Sequence, residues 1–237
     1  MYYGYGYYGG YGIMLLCLII TGIAQLRISG AYKKYSNISS KLHMTGAEVA
    51  ARVLQSQGIT DVRIGRVSGK LTDHYDPRTK VVNLSDSVYG STSLAAAAVA
   101  AHECGHAVQH AKGYAPLSLR SAMVPVVNFS SKFSWILIML GFAFSSRAAS
   151  PLLNIGIILF SATVLFQIVT LPVEFNASHR ALVILKEQNL LYDDEVSGAR
   201  SMLTAAALTY VAAALTAILQ LIRLILIANS RGGRRRD

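Results

Sequence analysis

Apolar residues in this 237-residue chain are gathered into four long runs, set apart by one extended polar stretch and by short polar links. The first run, GIMLLCLIITGIAQL (12–26), is uncharged and stops at Arg27, just before the basic AYKKY. Two further runs, AMVPVVNFSSKFSWILIMLGFAF (122–144) and PLLNIGIILFSATVLFQIVTL (151–171), each come to about the 20 residues that carry a helix across a bilayer. The link SSRAAS between them is too short for anything but a hairpin, although Pro125 and Lys132 interrupt the earlier run. A last run, AAALTYVAAALTAILQLIRLILIA (205–228), leads into NSRGGRRRD. Ahead of all four stands MYYGYGYYGGYG, a low-complexity tyrosine and glycine segment suited to a membrane edge. It lacks the basic start of a cleaved signal peptide, so the first run reads as a retained span.

The polar stretch, 29–121, carries the shorter periodicities of a folded domain. In TGAEVAARVLQSQGI the apolar positions recur at helical spacing, Thr45 and Glu48 form a capping-box pair, and Gly58 closes the helix. Alternation through Val62, Ile64 and Val67, the turn DPRT, and then KVVNL predict two or three short strands. Ser91 to Ser93 cap an alanine-rich helix that runs to about Lys112 and stops at Gly113, with Pro116 beyond it. The chain therefore divides into five segments. They are a Tyr/Gly-rich end with a first span (1–28), the polar domain (29–121), a transmembrane hairpin (122–171), a helix opened by Pro172 with its connection (172–204), and a final apolar helix with a basic tail (205–237). The expected fold class is mainly α with a small β-hairpin or sheet, in a multi-pass membrane protein.

Composition supports this division. Hydrophobic residues make up 53% of the chain and charged ones only 14%, with mean hydropathy +0.41, a balance foreign to ordinary soluble domains. The net charge of +10 raises a nucleic-acid reading. The basic residues, however, are scattered or sit beside apolar runs, without the aromatic interleaving of a strand-binding groove. Lipid headgroups are the better-matched partner, and nucleic-acid binding is set aside. The uncharged leading end and basic trailing flank of the first run place the N-terminus outside and the next segment in the cytoplasm. Four crossings would then leave the C-terminal arginines outside, against the positive-inside rule, so either the last run does not cross or an earlier one is misassigned. Cys17 in the first run and Cys104 in the alanine-rich helix make no disulfide framework and fit a reducing compartment. Cys104 points about 200° from His102 around the helix and reads as a small packed residue.

That helix contains HECGH, an HExxH pattern. Residues four apart are displaced by about 6 Å along the axis and about 40° around it, so the imidazoles of His102 and His106 can converge on one zinc ion. Glu103 is not a ligand by direction, but it can reach a metal-held water and take its proton as the water attacks a carbonyl. Two ligands do not hold a catalytic zinc, and a third protein ligand is needed. His110 fails on geometry, because eight residues place it about 12 Å further along the same helix. Asp193, Asp194 and Glu195 suit a helix start, and Asp73, His74 and Asp76 suit a hairpin turn. Glu174, in LPVEFNASHRAL directly after the third run, is different. A carboxylate so near a membrane exit is costly unless paired, and a metal would pair it.

AAHECGHAVQH, followed far downstream by LPVEFNASHRAL, resembles the YugP-like family of membrane zinc metallopeptidases. The resemblance covers nearly the whole chain, TDHYDPRTKVVNLSDSVYG included. The chain is more distantly similar to the HtpX and CaaX prenyl protease group, whose helices carry HExxH and then Glu-x-x-x-Asp. The resemblance implies a zincin-like HExxH helix packed against transmembrane helices, Zn2+ as cofactor, His102, His106 and Glu174 as its ligands, and Glu103 as general base. Ser178 stands where the HtpX-type pattern has an aspartate that orients a zinc ligand; one turn after Glu174, it can offer a weaker hydrogen bond instead. His179 or Arg180 is the candidate for stabilising the tetrahedral oxyanion. At about 140° and 240° from Glu174 around the helix, at most one of them faces the site. KVVNL is expected to act as an edge strand that pairs with an extended peptide.

The expected activity is hydrolysis of peptide bonds in peptide or protein substrates, membrane proteins among them, on the cytoplasmic side of a bacterial membrane. Three rivals belong to other classes. A non-catalytic membrane scaffold would keep zinc in a closed coordination sphere. An intramembrane-type protease would need a longer apolar stretch before His102 than Leu94–Ala101. A transporter would leave HExxH unexplained. No pattern in the sequence bears on oligomeric state.

Overall fold

A computed structural model describes residues 5–143 and 150–233, so most of the SSRAAS link lies outside the described residues. The order is α1 (Tyr5–Ser36), α2 (Gly46–Ser56), β1 (Arg63–Val67), β2 (His74–Asp76), β3 (Val81–Ser85), α3 (Asp86–Tyr89), α4 (Leu94–Ala111), α5 (Ala115–Ala143), α6 (Ser150–Glu187) and α7 (Asp193–Gly233). The chain is thus mainly helical with one small sheet. Among the described residues, four helices are long and apolar enough to cross a membrane: Tyr11–Ser36, Ala115–Ala143, Pro151–Glu187 and Asp193–Asn229.

Local signals in the sequence set the short helices. Thr45 and Glu48 form the reciprocal capping box of α2, and Gly58, at φ 68°, ends it. Ser93 accepts a hydrogen bond from the Ala96 N–H to cap α4. At the other end of α4, Gly113 takes φ 61°, while its N–H reaches the His110 carbonyl and that of Tyr114 reaches the Gln109 carbonyl. These two bonds form a Schellman motif, which glycine favours because it has no Cβ to strain at positive φ.

The long helices depart from the expected segmentation. Pro172 does not open a helix; it lies inside the 38-residue α6. The ring removes one backbone hydrogen bond, but ending a helix in apolar surroundings would strand several backbone groups, which costs more. Glu174 therefore sits within a long helix instead of in a first turn. In the same way α7 runs unbroken from the acidic Asp193–Glu195 turn through position 205.

The described residues form two compact units. One comprises Met1–Ala24, Leu119–Thr170 and Tyr210–Asp237. In it α5 and α6 pack antiparallel, Gly141 against Leu153 and Gly156 against Ile138, around a core of Ile138, Leu153, Phe160, Val164 and Leu224. Leu18, Met139 and Ile158 stand exposed on this unit, as side chains that face lipid do.

The second unit comprises Gln25–Ser118 and Leu171–Thr209. Its core joins Val49 and Val53 of α2, Val82 and Leu84 of β3, the alanines of α4, Leu185 of α6 and Met202 of α7. Backbone bonds from Ser40 to Thr92, Gly46 to Ser91 and Leu94 to Ile38 hold the start of α4 against the segment before α2. The sheet order is β1-β3-β2, with β1 parallel and β2 antiparallel to β3. KVVNL is therefore the central strand, paired on both sides, and not the edge strand expected from the sequence. Val82 and Leu84 are fully buried, and the most apolar strand takes the position flanked on both sides.

Candidate metal centre

Two helices of the second unit carry the candidate residues, and they meet at a glycine. A Cβ built on Gly105 of α4 would lie 2.6 Å from the Ala177 carbonyl oxygen of α6, so only glycine allows the backbones this close. His102 and His106 flank that crossing on α4, and Glu174 lies one turn before it on α6. The alanines of α4, eight of its 18 residues, assist, because small side chains let neighbouring elements approach closely.

At the crossing, His102 Nε2 lies 3.3 Å and His106 Nε2 3.6 Å from the same Glu174 oxygen, Oε2. One ligand atom from each of the three residues lies within 4.8 Å of the others. Among the described residues this is the group of His, Cys, Asp and Glu that could hold a metal ion. Two imidazole nitrogens and a carboxylate oxygen are donors that zinc takes. Bonds of about 2.0–2.1 Å in a tetrahedral site separate ligand atoms by about 3.3–3.4 Å. The donor set suits such an ion, and the two histidine–glutamate separations of 3.3 and 3.6 Å lie close to that spacing. The side chains are close to buried, at 13% exposure for His102, 11% for His106 and 3% for Glu174.

The outer face of each imidazole is also engaged. His102 Nδ1 is 3.1 Å from Ser178 Oγ, the hydroxyl that stands one turn after Glu174. His106 Nδ1 is 3.1 Å from Gln109 Oε1, and Gln109 Nε2 donates to the Val173 carbonyl at 2.8 Å and to Asn176 Oδ1 at 3.0 Å. With Nδ1 occupied on both rings, the Nε2 atoms are the ones turned toward Glu174. Burial opposes charge on His106, but the Glu174 carboxylate and the nearby charge of Glu103 outweigh it, so its pKa is raised.

Glu103 is 8% exposed. Cys104 is fully buried with its thiol toward the Ala50 carbonyl, and burial, aided by the charge of Glu103, pushes its pKa far up. It is a packed residue, as its direction on the helix suggested. His110 is exposed at the end of α4, where its Nδ1 lies 2.8 Å from the Tyr75 hydroxyl. His179 is exposed. Arg180 is half-buried, donates from Nε to Asn176 Oδ1 at 2.7 Å and packs its guanidinium over the Tyr114 ring. Around the remaining acids, Asp76 binds the Arg78 N–H and the Thr79 hydroxyl in the turn, and Asp73 binds the Ser85 N–H and hydroxyl. Glu195 accepts from the N–H groups of Lys41 and Tyr192. These are turn and cap roles.

Gly105 and Gln109 escaped the reading of the sequence. Both left a trace in it. A glycine inside a run of strong helix formers asks for a close approach, and Gln109 is the polar residue three positions after His106, on the same helix face.

Residues 11–229 match the family model described as "Putative neutral zinc metallopeptidase". Among curated proteins, the chain is similar to "Putative membrane protease YugP" of Bacillus subtilis (strain 168), at 46% identity over 204 residues that cover 86% of this chain and 89% of that relative. No solved structure matches the chain.

Proposed function

The chain belongs to this family of neutral zinc metallopeptidases, and on that footing we propose that it hydrolyses peptide bonds at a membrane, with His102, His106 and Glu174 as zinc ligands and Glu103 as general base. The observation that carries the reading is the convergence of the three ligand atoms within 4.8 Å, with Glu103 one residue along α4 from His102. Three protein ligands leave a position open, the arrangement of catalytic zinc and not of a structural site. A zinc ion held there would supply Lewis acidity to the attacking water and to the scissile carbonyl. Glu103 takes a proton from that water as its oxygen attacks, and delivers the proton to the departing amine, so the carboxylate is restored at the end of the cycle.

Arg180 is assigned as the second donor to the tetrahedral oxyanion. Its Nε is spent on Asn176, which anchors the side chain and leaves the two terminal nitrogens of the fork for substrate. The substrates are peptide or protein chains, membrane proteins among them, and the site works on the cytoplasmic face, as the basic flank after the first span supports.

The test measures zinc content and cleavage of unfolded membrane and soluble substrates by the wild type, Glu103→Gln and Glu174→Ala. Glu103→Gln is expected to keep zinc and lose turnover, and Glu174→Ala to lose zinc. Full zinc occupancy in Glu174→Ala overturns the ligand set, and unchanged cleavage by Glu103→Gln overturns the mechanism.

A further inference from the structure

Gln109 is fully buried in α4, and its amide is used at both ends. The oxygen and nitrogen of a side-chain amide are told apart by their partners. Here the partners decide. The Val173 carbonyl can only accept, and Asn176 presents its Oδ1, because that atom also receives the Arg180 Nε–H at 2.7 Å. Two acceptors opposite one end of the amide fix that end as the NH2. The other end, Oε1, is an acceptor aimed at His106 Nδ1 from 3.1 Å. Nδ1 must then carry a hydrogen, and Nε2 is the nitrogen left to face Glu174. The two α6 groups that Gln109 holds, Val173 and Asn176, stand on either side of Glu174 in the sequence.

We propose that Gln109 is a positioning residue for the metal centre: one buried amide fixes the tautomer and direction of the His106 ring and clips to α4 the turn of α6 that carries Glu174. Two of the three ligands are thereby set by a single side chain, with Asn176 and Arg180 behind it. His102 is held differently. Its partner, Ser178, is a hydroxyl that can either donate or accept, and so imposes no tautomer. The inference rests on the zinc reading of the site for its purpose, but the lock on His106 can be measured without metal.

The experiment uses the full chain in detergent, with zinc affinity read by competition against a chromophoric chelator and thermal unfolding followed on the metal-stripped samples. Gln109→Met keeps the shape and removes the acceptor. Gln109→Glu keeps an oxygen opposite His106 Nδ1 but turns its second oxygen toward two acceptors. The expected result is a loss of zinc affinity of about 10–100-fold in Gln109→Met and a smaller loss in Gln109→Glu, although Gln109→Glu is the less stable fold. Zinc affinity that follows stability, or a folded Gln109→Met that binds zinc as the wild type does, overturns the proposal.

A second measurement stands apart from zinc. In metal-free Glu174→Ala at alkaline pH, 15N spectra of the ring should place the His106 hydrogen on Nδ1, and adding Gln109→Met should move it to Nε2. A hydrogen on Nε2 in the single variant overturns the lock. If the wild type takes up no zinc while the tautomer behaves as expected, the zinc reading falls and the lock stands.

Discussion

Gly105 of α4 lies against the backbone of Ala177 of α6: a Cβ on the first would come within 2.6 Å of the carbonyl oxygen of the second. The obstacle is backbone, which cannot turn aside as a side chain could. Gly105→Ala must therefore separate α4 from α6. The better helix propensity of alanine offsets up to about 1 kcal/mol, while forced overpacking costs about 1–3 kcal/mol. Zinc content per chain should fall more sharply than stability, because the shift moves Glu174 away from the histidines. Zinc analysis beside thermal unfolding checks this, and a variant with wild-type zinc content would contradict it.

The raised pKa of His106 gives the metal-free and zinc-loaded forms opposite responses to pH. With no metal, the charged ring paired with Glu174 stabilises the fold below the ordinary imidazole pKa of about 6.5. That contribution disappears as pH rises through the raised value. Zinc needs the neutral ring, so its binding strengthens over the same range. The gain in melting temperature on adding zinc should be small in mild acid and should grow through a midpoint above 6.5, the ordinary value. A gain independent of pH would speak against His106 as a ligand.

Ser178 supplies a neutral hydroxyl to His102 Nδ1 at 3.1 Å. Outer hydrogen bonds to ligand histidines are worth about 10–100-fold in metal affinity, with a neutral partner at the low end. Ser178→Ala should weaken zinc binding by about 10-fold or less, and Ser178→Asp should tighten it, since a carboxylate accepts more strongly from Nδ1–H. Chelator competition on both variants reads the order, and a tighter Ser178→Ala would reverse the assignment.

Arg180 and His179 separate at saturating zinc. Removing one donor to an oxyanion costs about 100-fold or more in kcat. Arg180→Lys should lose turnover on that scale with little change in KM. His179→Ala, at an exposed position, should leave turnover as it is. Loss of kcat in the histidine variant would move the assignment to His179.

Cys104 should resist maleimide in the folded protein and react once unfolded, because its thiol is fully buried and held protonated. Peptide mapping distinguishes it from Cys17. Labelling of Cys104 in the native state would mean that α4 opens.

Much of the polar unit was legible along the chain. The Thr45–Glu48 box, the Ser93 cap and the Gly113 stop act over one helical turn, and each stands where the sequence placed it. HExxH spacing likewise determined that His102 and His106 share a face, and distance along the helix removed His110. Three features resisted the same reading. KVVNL has the alternation of a strand, but alternation says which residues turn inward and nothing about how many neighbours the strand has. Pro172 has the local character of a helix start, and only its apolar surroundings keep α6 running through it. Gln109 looks like any polar residue near a helix end until Val173 and Asn176 arrive opposite it.

Neighbouring residues were therefore enough to set α2 and α4, their caps and the face of α4 that presents two histidines, because propensity, capping and periodicity act over a few positions. The extents of α6 and α7 were not set in this way. Which strand lies in the middle of the sheet and which buried amide orients His106 came from the tertiary structure alone, and it brought Glu174, the carboxylate already singled out along the chain, to 3.3 and 3.6 Å from the two histidines. Those outcomes follow from a close approach between segments remote in sequence, where the absence of a side chain at Gly105 and the need to satisfy buried polar groups select one pairing among many.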